Sequence, residues 1–214
     1  MTGSIDVDLA DVAALTPVSV AMTPVALGGR AGLRVHLHPE IERSGVAGVD
    51  YVDQPTFVLA GPEFEHGTVT VDVFSRLRPR APALSRGFAG LAFRVADDRS
   101  SFESVYLRPL NGSHENPPEE RAGRAVQYFA YPDWPFDRLR AEQPDSGYES
   151  AASIGLGAWH RLEITFDSAE VTAAVDGVGV IRSPLLSPPR RGRVGLFVDI
   201  GTDAVFSRLR ITPR

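Results

Sequence analysis

The 214-residue sequence predicts an all-β fold, a two-sheet antiparallel β-sandwich. Three observations predict it: apolar and polar residues alternate with period two in short runs, β-branched residues crowd those runs, and Gly, Pro, Asp or Asn breaks them every roughly eight to fifteen residues. About a dozen such runs in one chain suit two stacked sheets, in which each strand buries one face and shows the other.

In chain order the first strands fall at residues 18–22 and 33–37, the second reading Leu-Arg-Val-His-Leu, and a short apolar run follows at 56–59. Residues 67–74 alternate Thr, Val and Asp in the clearest period of two. Three consecutive strands are expected at 88–95, 102–108 and 125–131. Further runs lie at 160–166, 171–175, 178–181, 193–198 and 204–211. Asp176-Gly177 separates two of them, a pair suited to a two-residue turn with positive φ at both positions. Helix signals are nearly absent; the one plausible helical turn, residues 136–142, follows Pro135. Two connections, 111–124 and 132–158, exceed ordinary turns, and long connections in compact domains more often serve function than decoration. With no repeat, linker or low-complexity tract, the chain is read as one domain, residues 1–214.

Composition narrows the chemistry. All 22 basic residues are arginines and cysteine is absent, so Schiff-base lysine, P-loop lysine, thiolate nucleophiles, disulfides and cysteine-held metals are excluded. A chain of this length buries roughly 70% of its unfolded surface and needs no such staple. The net charge of -5 argues against nucleic-acid partners, and no apolar run approaches the roughly 20 residues of a membrane helix. Residues 1–15 carry Asp6, Asp8 and Asp11 and no basic residue, unlike a secretory leader, which leads to the expectation of a cytoplasmic protein. The oligomeric state is left open.

Strand parity selects a candidate site. In 88–95, Ala89, Leu91, Phe93 and Val95 form an apolar row, which leaves Phe88, Gly90, Ala92 and Arg94 on the other face. The same count puts Val105 and Leu107 inward with Ser104, Tyr106 and Arg108 outward, and Val126, Tyr128 and Ala130 inward with Gln127, Phe129 and Tyr131 outward. The outward face should therefore carry Arg94, Tyr106, Arg108, Gln127, Phe129 and Tyr131 around a hollow left by small residues. Arg108 precedes the first long connection and Gln127 follows it, so the two should meet across the strands. Trp134, Arg138 and Arg140 on the second connection could cover the face. For proton transfer the candidates are His114, on the loop near Arg108, with Glu103 and Tyr106; Glu115, Glu119 and Glu149 could approach from the loops. His36 and His38 share one strand face but have no adjacent third ligand, so no metal site is assigned. Asp199, Gly201 and Asp203 suit a calcium-accommodating turn only loosely, which leaves a structural calcium as the one cofactor considered.

The runs FESVYLRPLN, AVQYFAYPDWPFDRLRAEQPDSGYES and GRVGLFVDIGTDAVFSRLRI, with GGRAGLRV near the start, resemble the laminin-G-like, concanavalin A-like domains grouped with 3-keto-disaccharide hydrolases. The resemblance implies a jelly roll whose concave sheet face binds a sugar, glycoside or similar polyoxygenated molecule. Members include lectin-like modules and glycoside-cleaving enzymes, so fold alone sets no reaction. Where that pattern often has histidine before a proline, this chain has Tyr131. Three functions follow as expectations: sugar binding with hydrolase or lyase turnover, a cyclase or isomerase tailoring enzyme of secondary metabolism, or a non-catalytic carbohydrate-binding module.

Overall fold

The computed structural model describes residues 3–144 and 146–214. Among these residues, fifteen strands build two antiparallel sheets. One sheet runs in the order β13 (Val178–Pro184), β12 (Glu170–Val175), β11 (Trp159–Phe166), β6 (Gly67–Leu77), β15 (Thr202–Pro213), β4 (Arg30–Leu37) and β3 (Val20–Leu27), with β1 (Ile5–Asp6) also pairing β15. The other runs β10 (Glu149–Ser150), β9 (Val126–Tyr131), β8 (Phe102–Leu107), β7 (Ala89–Val95), β14 (Gly192–Val198), β5 (Phe57–Phe64) and β2 (Thr16–Val18). The short helices are α1 (Pro39–Ser44), α2 (Glu119–Ala122) and α3 (Phe136–Glu142), the last at the position that Pro135 signals in the sequence. Asp176 and Gly177 take φ of 51° and 81°, as the turn between β12 and β13 requires.

Alternation explains the first sheet. Val69, Val71 and Val73 of β6 and Leu162, Ile164 and Phe166 of β11 are buried in the core, while Arg30, Arg161 and Arg208 gather on the other side around Asp72. Phe166 meets the second sheet through Phe93, with ring centroids 4.5 Å apart. The sandwich interior therefore holds Leu91, Phe93, Val105 and Tyr128, as parity requires.

The opposite face of the second sheet differs from expectation. β7 and β8 are buried along their whole length, so both faces of this sheet are covered. Register aligns Glu149, Gln127, Tyr106, Gly90, Phe197 and Phe57 in one row across six strands. Rings fill the face: Phe57 packs edge-on against Phe102, and Phe129 against both Phe102 and Phe197. The small residues thus make room for aromatic side chains and leave no open hollow over the middle strands. Gly90 shows the tightness, since a Cβ there would stand 2.4 Å from the Tyr106 Cα and 2.3 Å from the Val105 carbonyl oxygen.

Arg94 departs from its parity. Between Arg193 and Gly195 the pairing of β14 jumps from Val95 to Ala92, so β7 bulges, and Arg94 takes the left-handed region with φ 51°. The bulge carries its guanidinium to the sandwich interior, where it pairs with the fully buried Glu103. Tyr128 donates its hydroxyl to the other Glu103 oxygen at 2.7 Å.

Candidate functional site

At the end of the covered face, where β8 runs out, a cavity of about 280 Å³ opens. Its floor comes from Tyr106 of β8 and Arg108 just past its end, with the buried Asp53 and Asp199. Phe88 and Phe136 stand at its sides, Asn111, Arg121 and Arg124 come from the first long connection, and Arg86 and Arg140 complete the arginines. A second hollow of about 400 Å³ adjoins it through Arg124, Phe136 and Arg140.

Arg108 is the hub. Its Nη2 donates to the Tyr106 hydroxyl at 2.9 Å and to Gln127 Oε1 at 3.0 Å, while Nη1 donates to Glu149. Arg140 also donates to Glu149, through Nη2 at 2.6 Å and Nε at 3.1 Å. The Phe136 ring lies against both guanidinium groups, 5.3 Å from that of Arg108 and 5.1 Å from that of Arg140. The approach of Arg108 and Gln127 that their strand positions require is realised, because Arg108 N donates to Ala125 O directly beyond the paired strands. Gln127 is locked from its other end by donating to the Tyr128 and Tyr148 carbonyls.

The floor is acidic and buried. Tyr106 donates to Asp53 Oδ1 at 3.2 Å, and the Phe136 backbone N–H donates to Asp53 Oδ2 at 2.7 Å, tying the segment before β5 to the start of α3. Asp199 accepts the backbone N–H groups of Val52, Asp53 and Ile200 and so fixes the backbone of Asp53 itself. Burial pushes the Asp53 carboxyl up to about 7; Asp199 beside it pushes the same way, while the Phe136 N–H and Arg108 oppose the shift. Burial raises Asp199 as well, and its three backbone donors only moderate this. Burial also works against the Glu149 charge, but Arg140 and Arg108 outweigh it and hold its carboxyl below the ordinary range.

The residues expected from the sequence separate into groups. Tyr106, Arg108, Gln127 and Glu149 come together as one hydrogen-bonded set, and Arg140 joins them. Arg94 and Glu103 lie on the other face of the sheet and contribute nothing to this cavity, because the β7 bulge breaks the parity on which Arg94 was placed and Glu103 follows Val105 inward. His114 also lies outside it: its ring centroid is 6.4 Å from that of His160 on β11, and its loop turns toward the first sheet there. Phe129 is sealed in the ring cluster, and Tyr131 stacks on Phe102 at 5.2 Å. Trp134 lies against Arg138 at 4.3 Å, and Arg138 pairs with Glu142 on the exposed side of α3. Of the loosely calcium-like turn, Asp199 is spent on backbone donors and Asp203 pairs with Arg34 and Arg76. Among the described residues no cluster of three or more His, Asp or Glu suited to a metal ion occurs. No helix in them is long and apolar enough to cross a membrane.

Sequence reasoning missed Asp53, Arg86, Arg121 and Phe136. Their signal was weak: Asp53 sits in an irregular segment, and the others mark nothing until the long connections fold over the sheet end.

Two solved structures fix the architecture. The carbohydrate-binding module CBM66 from Bacillus subtilis superposes with a TM-score of 0.56 at 15% identity, over 92% of this chain and 97% of that one. A Bacillus subtilis protein of unknown function with a galectin-like fold gives 0.55 at 12% identity, over the full length of both. The fold is a galectin-like jelly roll. At these identities the likeness extends to architecture alone. No family model matches the chain. No curated protein matches it either, so the narrower resemblance to the 3-keto-disaccharide hydrolase group gains no support.

Proposed function

We propose that this protein binds a sugar or similarly polyoxygenated molecule in the cavity around Arg108. The observation that carries the reading is the concentration of hydrogen-bonding groups at one end of an otherwise apolar sheet face, between the half-buried rings of Phe88 and Phe136. Guanidinium, amide and phenol groups supply the directional donors and acceptors that sugar hydroxyls need, and ring faces suit the apolar side of a pyranose. The carbohydrate-binding module that shares the architecture makes sugars the first ligands to try.

A second reading, turnover by hydrolysis, elimination or isomerisation, is favoured by Asp53. A carboxyl group with a pKa of about 7 exchanges a proton readily at neutral pH, and Tyr106 and the Phe136 N–H hold this one in a fixed orientation. Asp199 acts behind it as a positioning residue.

A panel of mono- and oligosaccharides tested for ligand-induced thermal shifts examines the first reading. At least one sugar should raise the melting temperature of the wild type and fail to do so for Arg108→Gln and Phe136→Ala, with circular dichroism confirming that both variants fold. Shifts that persist in both variants would place the site elsewhere. Product analysis after long incubation decides the second reading: with turnover, Asp53→Asn stops product formation while the sugar still binds, whereas unchanged sugar in the wild-type sample leaves a binding module.

A further inference from the structure

Charge in the cavity is unbalanced in a way that plain sugar binding does not require. Arg86, Arg108, Arg121, Arg124 and Arg140 line it against only two carboxylates, Asp53 and Asp199. A third carboxylate, Glu149, is already shared by Arg108, Arg140 and, at 3.9 Å, Arg124. Even with all three acids ionised the guanidinium groups are in excess by two, in a protein whose net charge is -5.

The excess is localised. Arg121, at the end of α2, has no ion pair and no side-chain hydrogen bond among the described residues. Among the described residues the only side-chain hydrogen bonds of Arg86 run from one nitrogen to the Ala83 and Ser85 carbonyls. Both are half-buried, and Arg86 is held below the usual arginine range by burial and by the charges of Arg121 and Arg108. Two guanidinium groups lining one cavity, neither paired with a carboxylate among the described residues, repel each other unless an anion completes the site. The neighbouring Asn111 supplies an independent sign: its Oδ1 is buried without a partner among the described residues, while its amide nitrogen is fixed by donating to the Arg124 carbonyl. A buried acceptor of that kind suits a hydroxyl donor.

We propose that the ligand of this cavity is an acidic sugar, whose carboxylate, sulfate or phosphate is gripped by Arg86 and Arg121 while its hydroxyl groups address Asn111, Arg108 and Tyr106. The inference rests on the reading of the cavity as a sugar site and adds the class of sugar. Two guanidinium groups lining one cavity supply planar forks of donors for an oxyanion with paired oxygens, and half-burial screens the attraction less than at an open surface.

Calorimetric titration of the full chain tests it with galacturonate trimer against galactotriose, and with glucose 6-phosphate and glucose 6-sulfate against glucose. Inorganic phosphate and sulfate serve as bare-anion probes. At least one acidic probe should bind tenfold or more tightly than its neutral counterpart and than the bare anions, and the probe that does so identifies the acid group. About 0.5 M NaCl should weaken that binding without abolishing it. In Arg121→Gln the acidic and neutral probes should become equivalent, and Arg121→Lys should recover part of the difference. Neutral sugars binding as tightly as acidic ones, with binding lost in Arg108→Gln, would overturn the inference and leave the sugar site standing. An acidic preference unchanged in Arg121→Gln would also overturn it, as would bare anions binding as well as the acidic sugars. Failure of every probe to bind would remove the sugar-site reading together with the inference.

Discussion

Replacing Arg108 with alanine tests whether this side chain organises the sheet end. It removes the only side-chain donor to Gln127 Oε1 among the described residues, in a residue with no solvent exposure, which costs about 1–3 kcal/mol as an unsatisfied buried acceptor. Breaking a buried ion pair by deleting one partner costs about 3–5 kcal/mol, but Glu149 keeps Arg140 and is partly exposed, so about 1 kcal/mol is the appropriate share here. The guanidinium against the Phe136 ring adds about 1 kcal/mol of lost contact. The total is about 4 kcal/mol. For a chain of 214 residues, at about 2–4 °C per kcal/mol, the melting temperature should fall by about 8–16 °C. Arg138→Ala is the control: its pair with Glu142, its contact with Trp134 and its hydrogen bond to the Asp133 carbonyl are all on the exposed side of α3, so their loss should cost about 1 kcal/mol. Thermal melts followed by circular dichroism, with urea midpoints as a second measure, give both values. If Arg108→Ala melts within about 3 °C of Arg138→Ala, the hub assignment is wrong and Gln127 and Glu149 are held by something else.

Asp53 makes stability depend on pH with a definite sign. Its carboxyl binds a proton up to about pH 7 in the folded state and only to about 3.8 when unfolded, so the folded state holds more protons between these values, and stability falls as pH rises through that window. The full effect is about 4 kcal/mol; Asp53→Asn should flatten this slope when urea midpoints at about pH 5 and pH 8 are compared, and an equally steep slope in the variant would exclude Asp53 as its source. Gly90→Ala places a methyl group against the backbone of Val105 and Tyr106, and it should cost about 1–3 kcal/mol and weaken ligand binding through Tyr106; crystallography showing Tyr106 unmoved would contradict this. Glu103→Gln should destabilise by about 3–5 kcal/mol because Arg94 loses its buried counter-charge, while His114→Ala should leave ligand affinity unchanged. Affinity lost on removing His114, with the fold intact, would show that its loop reaches the cavity after all.

The sequence made the sandwich legible because its signals are local. Alternation in β6 and β11 fixes which residues face the core, Asp176-Gly177 fixes a turn, and Pro135 fixes the start of α3. The same alternation placed Tyr106, Arg108 and Gln127 on one face, and register then brought them together. It failed where a local rule was broken or where distant segments meet. One extra residue in β7 turned Arg94 to the other face, which no composition or period reveals in a run that stays apolar on both sides. Asp53 and Asp199 are 146 residues apart in the chain, and each becomes part of the site only because backbone N–H groups of one segment find the carboxylate of the other.

The filling of the sheet face constrains what can bind. On an open concave sheet a chain of sugars could lie across all the strands, but here Phe57, Phe102, Phe129 and Phe197 occupy the middle, and each buried ring contributes about 2–3 kcal/mol that a bound sugar would have to displace. The Asp53 to Phe136 hydrogen bond joins the two covering segments over that face. What remains is the end of the row, where Glu149, Gln127 and Tyr106 meet Arg108 and the sheet gives way to the two long connections. A ligand entering there presents one end to the arginines and leaves the rest to the adjoining hollow beside Arg124 and Arg140. The aromatic packing that hides the expected groove is therefore also what concentrates the polar groups at a single end, and a terminal acidic residue of a glycan fits that end better than the middle of a neutral chain.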